Sequence, residues 1–139
     1  MIEIVNRQRK LKITRKHWRE FTAECLRAIK REASDVSIIF VSDSAIRKLN
    51  KQFRGKDSAT DVLSFPTEPE QFENPSSLGE IVIAIDRAAA QAKENGLTLQ
   101  NEIEQLILHG LLHLFGYDHE TDNGEMNRLE LKLRKRLGI

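Results

Sequence analysis

The sequence has one cysteine, Cys25, and no run of about 18 apolar residues of the kind that crosses a membrane. A single cysteine excludes an internal disulfide, and nothing in the sequence implies an oxidising compartment. Cys25 shares a helical apolar pattern with Trp18, Phe21 and Ile29, which predicts a buried thiol rather than a reactive one. Residues 1–7 lack the apolar segment of a signal peptide. We therefore expect a soluble, cytoplasmic protein with no membrane partner.

Net charge is also small, at +1 over 139 residues, so the whole chain carries no electrostatic signature of nucleic-acid binding. The basic residues are nevertheless clustered in three stretches, at 7–19, 47–56 and 132–136. Such clusters can bind a phosphate backbone, although most charge runs are solvated faces. Aromatic residues make up only 6% of the chain. Stacking of Tyr117 or Phe115 on bases is one hypothesis, and core packing is the better one for Phe115.

The length and the apolar patterns predict one domain, residues 1–139, of the α+β class with a single mixed sheet of about four strands packed with helices. No internal repeat is visible. The predicted order is βαβαββααα, with strands at 2–5, 36–41, 62–65 and 80–85 and helices at 15–33, 45–53, 87–95, from 98 to about 116, and from 122 to 136. The predicted helix caps are Thr14, Ser42–Ser44, Asp86, Thr98 and Asp122. Residues 67–77 are expected to form a mobile surface loop.

Three of the four histidines fall within eleven residues, at His109, His113 and His119. On a helix, His109 and His113 project from the same face one turn apart, so their imidazoles can converge on one ion. Gly116 provides a glycine where the helix ends, and the chain can then turn back to bring His119 to the same point. Three imidazoles without a cysteine suit one zinc ion, or another divalent metal, and leave a coordination position open. The sequence thus predicts a catalytic metal site at the end of a buried helix.

The same histidine spacing occurs in metzincin proteases, in which a glutamate general base follows the first histidine. Here that position is Gly110, so a metal-dependent hydrolase is favoured over a metalloprotease, which stays an alternative. A second alternative is a non-catalytic ribosome-binding module with a structural metal. Structural zinc sites have four protein ligands, so that hypothesis requires a fourth ligand such as Asp118.

The chain resembles the YbeY family of bacterial endoribonucleases, also described as rRNA maturation factors. Three blocks carry the resemblance: His109-Gly-Leu-Leu-His-Leu-Phe-Gly-Tyr-Asp-His119, Asn50-Lys-Gln-Phe-Arg-Gly-Lys-Asp-Ser-Ala-Thr-Asp-Val-Leu-Ser-Phe-Pro66, and Leu78-Gly-Glu-Ile-Val-Ile83. Two positions depart from the family pattern, Ala59 where proline is usual and Glu80 where aspartate is common. The departures leave the three blocks recognisable.

The resemblance implies a zinc-dependent endoribonuclease that prefers single strands and acts on precursor small-subunit ribosomal RNA, notably at its 3′ end, and in ribosome quality control. It implies that His109, His113 and His119 are the metal ligands and that Arg54 is functionally important. It also implies ribosomal partners, and we expect a monomer. Arg54 suits a phosphate because its planar guanidinium can bind two oxygens at once.

The sequence does not identify the general base. The candidates for this role are hydroxide generated at the metal and the carboxylates of Glu80, Asp61 and Asp118. For Asp118, an orienting hydrogen bond to a histidine is the better hypothesis. The sequence also leaves open whether water or the RNA 2′-hydroxyl attacks the phosphodiester.

Overall fold

The computed structural model describes residues 1–67 and 76–139. Within these residues the chain forms four strands, β1 (Ile2–Asn6), β2 (Asp35–Val41), β3 (Val62–Pro66) and β4 (Ser77–Ala84). Its five helices are α1 (Arg15–Ile29), α2 (Asp43–Arg54), α3 (Ile85–Glu94), α4 (Leu99–Leu114) and α5 (Glu125–Leu137). The predicted element order and the α+β class are confirmed.

The strands form one mixed sheet in the order β1-β2-β4-β3. β1, β2 and β4 run parallel, whereas β3 pairs antiparallel with β4 and lies at the edge of the sheet. β4 is central, and its last residues Ile81 to Ala84 are all buried. A continuous apolar run is what a strand covered on both faces requires, which explains why this segment is apolar on every residue.

Alternate residues of β2 and β4 enter two different hydrophobic clusters, because successive side chains of a strand point to opposite faces. Ile38 and Phe40 belong to the larger cluster, in which α1 and α4 pack on the sheet and α5 packs on these two helices. Ile39 and Val41 belong to the smaller cluster, which Ile46 of α2 closes on the other face. The sheet is therefore covered by helices on both sides, and α4 is buried almost all round.

Two of the predicted helix caps, Ser42 and Thr98, are confirmed by hydrogen bonds. Ser42 Oγ accepts the Ala45 N–H at the start of α2, and Thr98 Oγ1 accepts the Asn101 N–H at the start of α4. Asp122 is not the N-cap of α5, which begins at Glu125 after Gly124 and so starts later than predicted. Its carboxylate nevertheless accepts the N–H groups of Gly124 and Met126, and these two bonds hold the pKa of Asp122 below its usual value. Each bond satisfies a backbone donor that a helix end leaves without an internal partner.

Two other helix boundaries were predicted wrongly. α1 ends at Ile29 instead of residue 33, because Lys30 adopts the left-handed conformation (φ +66°) and the Arg31 N–H returns to the Leu26 carbonyl. Thr14 precedes α1 but makes no side-chain cap bond. Asp86 does not cap α3, which begins one residue earlier, and its carboxylate pairs with Lys10 at 2.9 Å.

The loop predicted at residues 67–77 ends earlier than expected, because β4 begins at Ser77. Ser77 already belongs to β4, its hydroxyl lies 3.0 Å from the Thr67 hydroxyl, and the Thr67 N–H donates to the Leu78 carbonyl. The expectation for residues 68–75 lies outside the described residues.

Cys25 is fully buried, as predicted, and burial raises its pKa to about 12. No helix in the described ranges is long and apolar enough to cross a membrane.

A substitution at Gly79, in β4, would test whether β3 and β4 must approach closely at this point. Its φ is +139°, and an added Cβ would lie 2.2 Å from the Phe65 carbonyl oxygen on β3. We expect Gly79→Ala to lower the free energy of unfolding by about 2–4 kcal/mol, since backbone strain and the steric clash both oppose it. Urea denaturation measures the loss.

Gly96→Ala is the matched control, because Gly96 also has a positive φ (+67°) but its added Cβ would meet no atom within 4 Å. Only the left-handed penalty of about 1 kcal/mol applies there. Equal losses in the two variants would contradict the steric part of the prediction for Gly79.

Candidate metal centre

The end of α4 brings the three histidines of the motif together. The helix ends at Leu114, and Gly116 adopts φ +96° while its N–H returns to the His113 carbonyl. This turn reverses the chain, so that the His119 ring lies 5.6 Å from the His109 ring and 5.3 Å from the His113 ring. One ligand atom from each histidine lies within 4.8 Å of the others. The predicted three-histidine cluster is confirmed.

Hydrogen bonds fix which nitrogen of His109 and His113 is free to bind a metal. His113 Nδ1 lies 2.9 Å from the Tyr117 carbonyl, which can only accept, so Nδ1 carries the proton and Nε2 keeps its lone pair. His109 Nδ1 lies 2.6 Å from the Glu130 carboxylate, and the same reasoning leaves its Nε2 free. The two Nε2 atoms are 3.1 Å apart.

Two lone pairs facing each other repel unless a cation lies between them. In tetrahedral zinc sites with Zn–N bonds of about 2.0–2.1 Å, two nitrogen ligands are about 3.3 Å apart. The 3.1 Å separation of the two Nε2 atoms is close to that value. The donor set and its spacing therefore fit a divalent metal ion, with His119 as the third ligand.

Glu130, on α5, is the main electrostatic partner of this centre. One carboxylate oxygen accepts from His109 and the other accepts from Arg134 Nη2, each at 2.6 Å. Burial opposes ionisation of Glu130, which is only 8% exposed, but the hydrogen bond from His109 and the charge of Arg134 outweigh burial and lower its pKa. An ionised carboxylate behind a ligand imidazole orients the ring and makes it a stronger donor to a metal.

A lowered pKa also favours metal binding by His113. Its partial burial, together with the neighbouring His109, lowers its pKa below the usual value. A metal must displace any proton from the ligand nitrogen, so a lowered pKa reduces competition from protons near neutral pH.

A cavity of about 650 Å³ opens in front of the three histidines, and we call it the front cavity. One wall is β3, from Val62 to Pro66, and the end of α2 contributes Arg54. The structure thus brings Arg54, predicted from sequence alone, to the same cavity as the histidines. Within residues 1–67 and 76–139, Arg54 forms no ion pair with a carboxylate, so its guanidinium is available to an anion.

A second cavity, of about 580 Å³, lies on the other side of His109 and is lined by Glu102, Glu130 and Arg134. Glu102 is 4% exposed, and burial raises its pKa. Asp61 and His109 line both cavities. His109, which donates to Glu130, thus contributes to the walls of both cavities.

Two of the three carboxylates that were predicted as candidates for a general base line the front cavity, and the third does not. Asp61 and Asp118 line the front cavity, whereas Glu80 is an exposed residue of β4 and does not line it. Asp61 Oδ1 accepts the Val62 N–H, and Asp118 Oδ1 accepts the Glu120 N–H. The carboxylate that orients a histidine is Glu130, a role that the sequence suggested for Asp118.

Glu130 was missed by the sequence analysis, although α5 carries a signal of it. Met126 and Leu133 form the buried stripe of this helix, and Glu130 lies on the same stripe, four residues after Met126 and three before Leu133. A charged residue on a buried helical stripe needs a partner. The sequence alone does not show that the partner is His109, 21 residues away.

Gly110 has a packing role that also bears on the protease alternative. A Cβ at this position would lie 2.9 Å from side-chain atoms of Ile81 in β4. The close approach of α4 to the sheet leaves no room for a glutamate side chain. The general base of the metzincins is absent here, and Ile81 occupies the space that a side chain at position 110 would need.

We expect Glu130→Gln to weaken zinc binding by about 10- to 100-fold, because the neutral amide removes the charge that supports His109. Competition with a chromophoric chelator measures the affinity. Glu94→Gln, which removes an exposed carboxylate of α3, is the control and should bind zinc like the wild type. Unchanged affinity in folded Glu130→Gln protein would show that this carboxylate does not tune the centre.

Comparison with known proteins places these features in a family. The family model described as endoribonuclease YbeY matches residues 3–138. The endoribonuclease YbeY of Nautilia profundicola is 52% identical over 105 residues, which cover 76% of this chain and 73% of that protein. That of Solibacter usitatus is 44% identical over 116 residues, covering 81% and 75%.

A solved structure agrees with these matches. The solution structure of TM1509 from Thermotoga maritima matches with a TM-score of 0.64 and 32% identity, over 99% of this chain and 89% of that one. The residues that the family model matches include the end of α2, strand β3 and the three histidines. The chain therefore belongs to the endoribonuclease YbeY family.

Proposed function

We propose that this protein is a metal-dependent endoribonuclease that cleaves single-stranded RNA at the His109–His113–His119 centre. One observation carries the proposal: an arginine without an ion-pair partner in the described chain shares a cavity with three imidazoles whose spacing suits a divalent ion. The family membership supports RNA as the polymer that is cut. Residues 1–139 act in this proposal as one domain.

Zinc is the metal that we propose, with one ion per chain. The ligands are three neutral imidazoles, and no cysteine or fourth histidine joins the cluster within the described residues. Zinc held by three protein ligands would polarise a phosphoryl oxygen and lower the pKa of water to about 7. The protein contributes the orientation of the ligands through Glu130 and the Tyr117 carbonyl.

Arg54 holds the phosphate in this proposal. It ends α2, where the last turn also carries Lys51, and a helix C-terminus tolerates cations well. Its guanidinium can donate two parallel hydrogen bonds to a phosphoryl oxygen pair and neutralise charge that grows during cleavage. The front cavity allows the scissile phosphate, or the phosphate next to it, to lie between Arg54 and the three histidines.

The proton of the nucleophile needs an acceptor at the same cavity. Asp61 and Asp118 both line it, and in each one carboxylate oxygen is engaged by a backbone N–H. The other oxygen of either residue can accept a proton from water or from the RNA 2′-hydroxyl. Glu80 is the weakest of the three candidates because it lies outside this cavity.

For the biological role, we propose processing of precursor small-subunit ribosomal RNA at its 3′ end and a part in ribosome quality control. The support is the family membership together with the sequence blocks around Arg54 and the histidines. The protein would then act in the cytoplasm as a monomer, with the ribosome or ribosomal proteins as partners.

The test is cleavage of a single-stranded RNA that carries the small-subunit 3′ end, with zinc-loaded protein. We expect His113→Ala to reduce cleavage to background because one ligand is lost. Arg54→Glu should lower the rate by about 100-fold or more, the scale of removing one transition-state donor. Arg54→Lys should give an intermediate rate, since an ammonium group cannot make two parallel bonds.

Lys93→Glu is the control for the charge change, because Lys93 is exposed on α3 and does not line the front cavity. It should cleave like the wild type, and circular dichroism should show that each variant is folded. Equal cleavage by all variants would indicate a contaminating nuclease and contradict the proposal. Chelator-sensitive cleavage of casein, without cleavage of RNA, would revive the metalloprotease alternative.

A further inference from the structure

Few large apolar side chains are exposed in the described part of the chain, and two of them lie at the same cavity. The exposed side chains are Met1, Phe53, Tyr117 and Leu131. Phe53 is 59% exposed and Tyr117 is 37% exposed, and these two aromatic residues both line the front cavity. A single exposed apolar side chain needs no explanation, but two aromatic rings at one functional cavity indicate a ligand.

Phe53 is held at the cavity by packing against the sheet. Its ring meets the Phe65 ring edge to face, with centroids 5.3 Å apart and an interplanar angle of 67°. Phe65 lies on β3, which is paired along its length with β4. The contact fixes one side of Phe53, while more than half of the side chain stays open to a ligand.

Tyr117 is fixed by the same turn that positions a metal ligand. Its N–H donates to the Leu112 carbonyl at 3.1 Å, and its carbonyl accepts from His113 Nδ1 at 2.9 Å. The backbone of Tyr117 therefore cannot shift without disturbing His113. The aromatic ring is tied to the metal centre through one residue.

We propose that Phe53 and Tyr117 form a stacking subsite for one unpaired RNA base beside the cleaved phosphodiester. This inference rests on the proposed nuclease function and assigns to that site a way of holding its substrate. Phe53 and Arg54 are consecutive residues at the end of α2, so one nucleotide can place its base on the ring and its phosphate on the guanidinium. Stacking accepts any base, since every base has a π-face.

The subsite gives a physical reason for single-strand preference. In a duplex, each base is covered on both faces by its neighbours and paired along its edge. To reach Phe53 the base must leave the stack, which costs free energy in a duplex and much less in a flexible single strand.

RNA is favoured over a polypeptide as the occupant by the charge beside the rings. Arg54 adjoins Phe53, and within the described residues no carboxylate neutralises it. An apolar peptide carries no phosphate for this guanidinium. In addition, Pro66 at the end of β3 has no N–H to offer to an added peptide strand.

The first experiment uses single-stranded RNA with 2-aminopurine on either side of the cleaved bond, rapidly mixed with zinc-loaded protein before cleavage occurs. Stacking on an aromatic ring quenches 2-aminopurine fluorescence. We expect quenching with the wild type and with Phe53→Trp, and clearly weaker quenching with Phe53→Leu, which keeps only Tyr117. Affinity for the RNA should fall between about 5-fold and 150-fold in Phe53→Leu, the range for one lost base–aromatic stack.

Leu131→Ala is the matched control, because Leu131 is also an exposed apolar residue, at 53%, but lies on α5 and does not line the front cavity. It should bind and quench like the wild type. Thermal unfolding should show Phe53→Leu to be folded, since the side chain is largely exposed.

A second experiment removes the base instead of the ring. With an abasic nucleotide at the quenched position, wild-type affinity should fall by at least the factor by which Phe53→Leu lowers it, and the abasic penalty should be smaller in Phe53→Leu, which keeps only Tyr117. An abasic penalty of equal size in both proteins, or quenching in Phe53→Leu that equals the wild-type quenching, would overturn the proposal. So would binding of an apolar peptide that depends on Phe53 while RNA binding does not.

These outcomes are separate from failure of the nuclease proposal, because quenching and affinity do not require cleavage. Phe53-dependent quenching without cleavage would keep the subsite and reject the nuclease. Cleavage that is unchanged in Phe53→Leu, with unchanged binding, would keep the nuclease and reject the subsite.

Discussion

The close packing of α4 on β4 sets the position of two histidines of the candidate metal centre. At Gly110 the helix backbone comes so near the sheet that an added Cβ would lie 2.9 Å from Ile81. Because the helix lies this low, His109 and His113, on either side of Gly110 along the chain, are brought beside the edge strand β3 and the end of α2. A bulkier residue would lift α4 and separate its histidines from the wall that carries Phe65 and Pro66.

A buried helix that carries two imidazoles must also satisfy their hydrogen bonds. The protein uses a backbone carbonyl for His113 and a buried carboxylate for His109. The carboxylate is in turn paired with Arg134, which offsets the cost of burying a negative charge. The result is a rigid centre in which the two Nε2 lone pairs have no partner in the described protein other than each other. A divalent cation relieves their repulsion, so the fold and metal binding favour the same geometry.

Local patterns in the sequence predicted most of this arrangement. The continuous apolar run of β4, the stripe of α4 and the spacing His109-x-x-x-His113 are all set by near neighbours, so the sheet, the helix and two ligands followed from periodicity. His119 followed because Gly116 allows the chain to reverse. The resemblance, rather than periodicity, pointed to Arg54.

The features that were missed depend on contacts between distant residues or on choices among equivalent backbone conformations. Glu130 reaches His109 from another helix, and its role depends on how α5 packs on α4. Lys30 ends α1 by adopting a conformation that glycine usually adopts, so no glycine marked the boundary. Asp86 had a suitable side chain for a cap, but its carboxylate is used by Lys10 from the other end of the chain.

The position of β3 at the edge of the sheet has a consequence for the solution behaviour of the protein. An exposed edge strand offers unpaired backbone groups to other chains and is a common starting point for intermolecular sheet growth. Pro66 removes one donor at the end of this strand, and the strand is only five residues long. A short edge that ends in proline can form the open wall of a cavity without recruiting a neighbouring molecule's strand. The site can thus stay accessible to a long, flexible polymer while this edge of the sheet resists pairing with another chain.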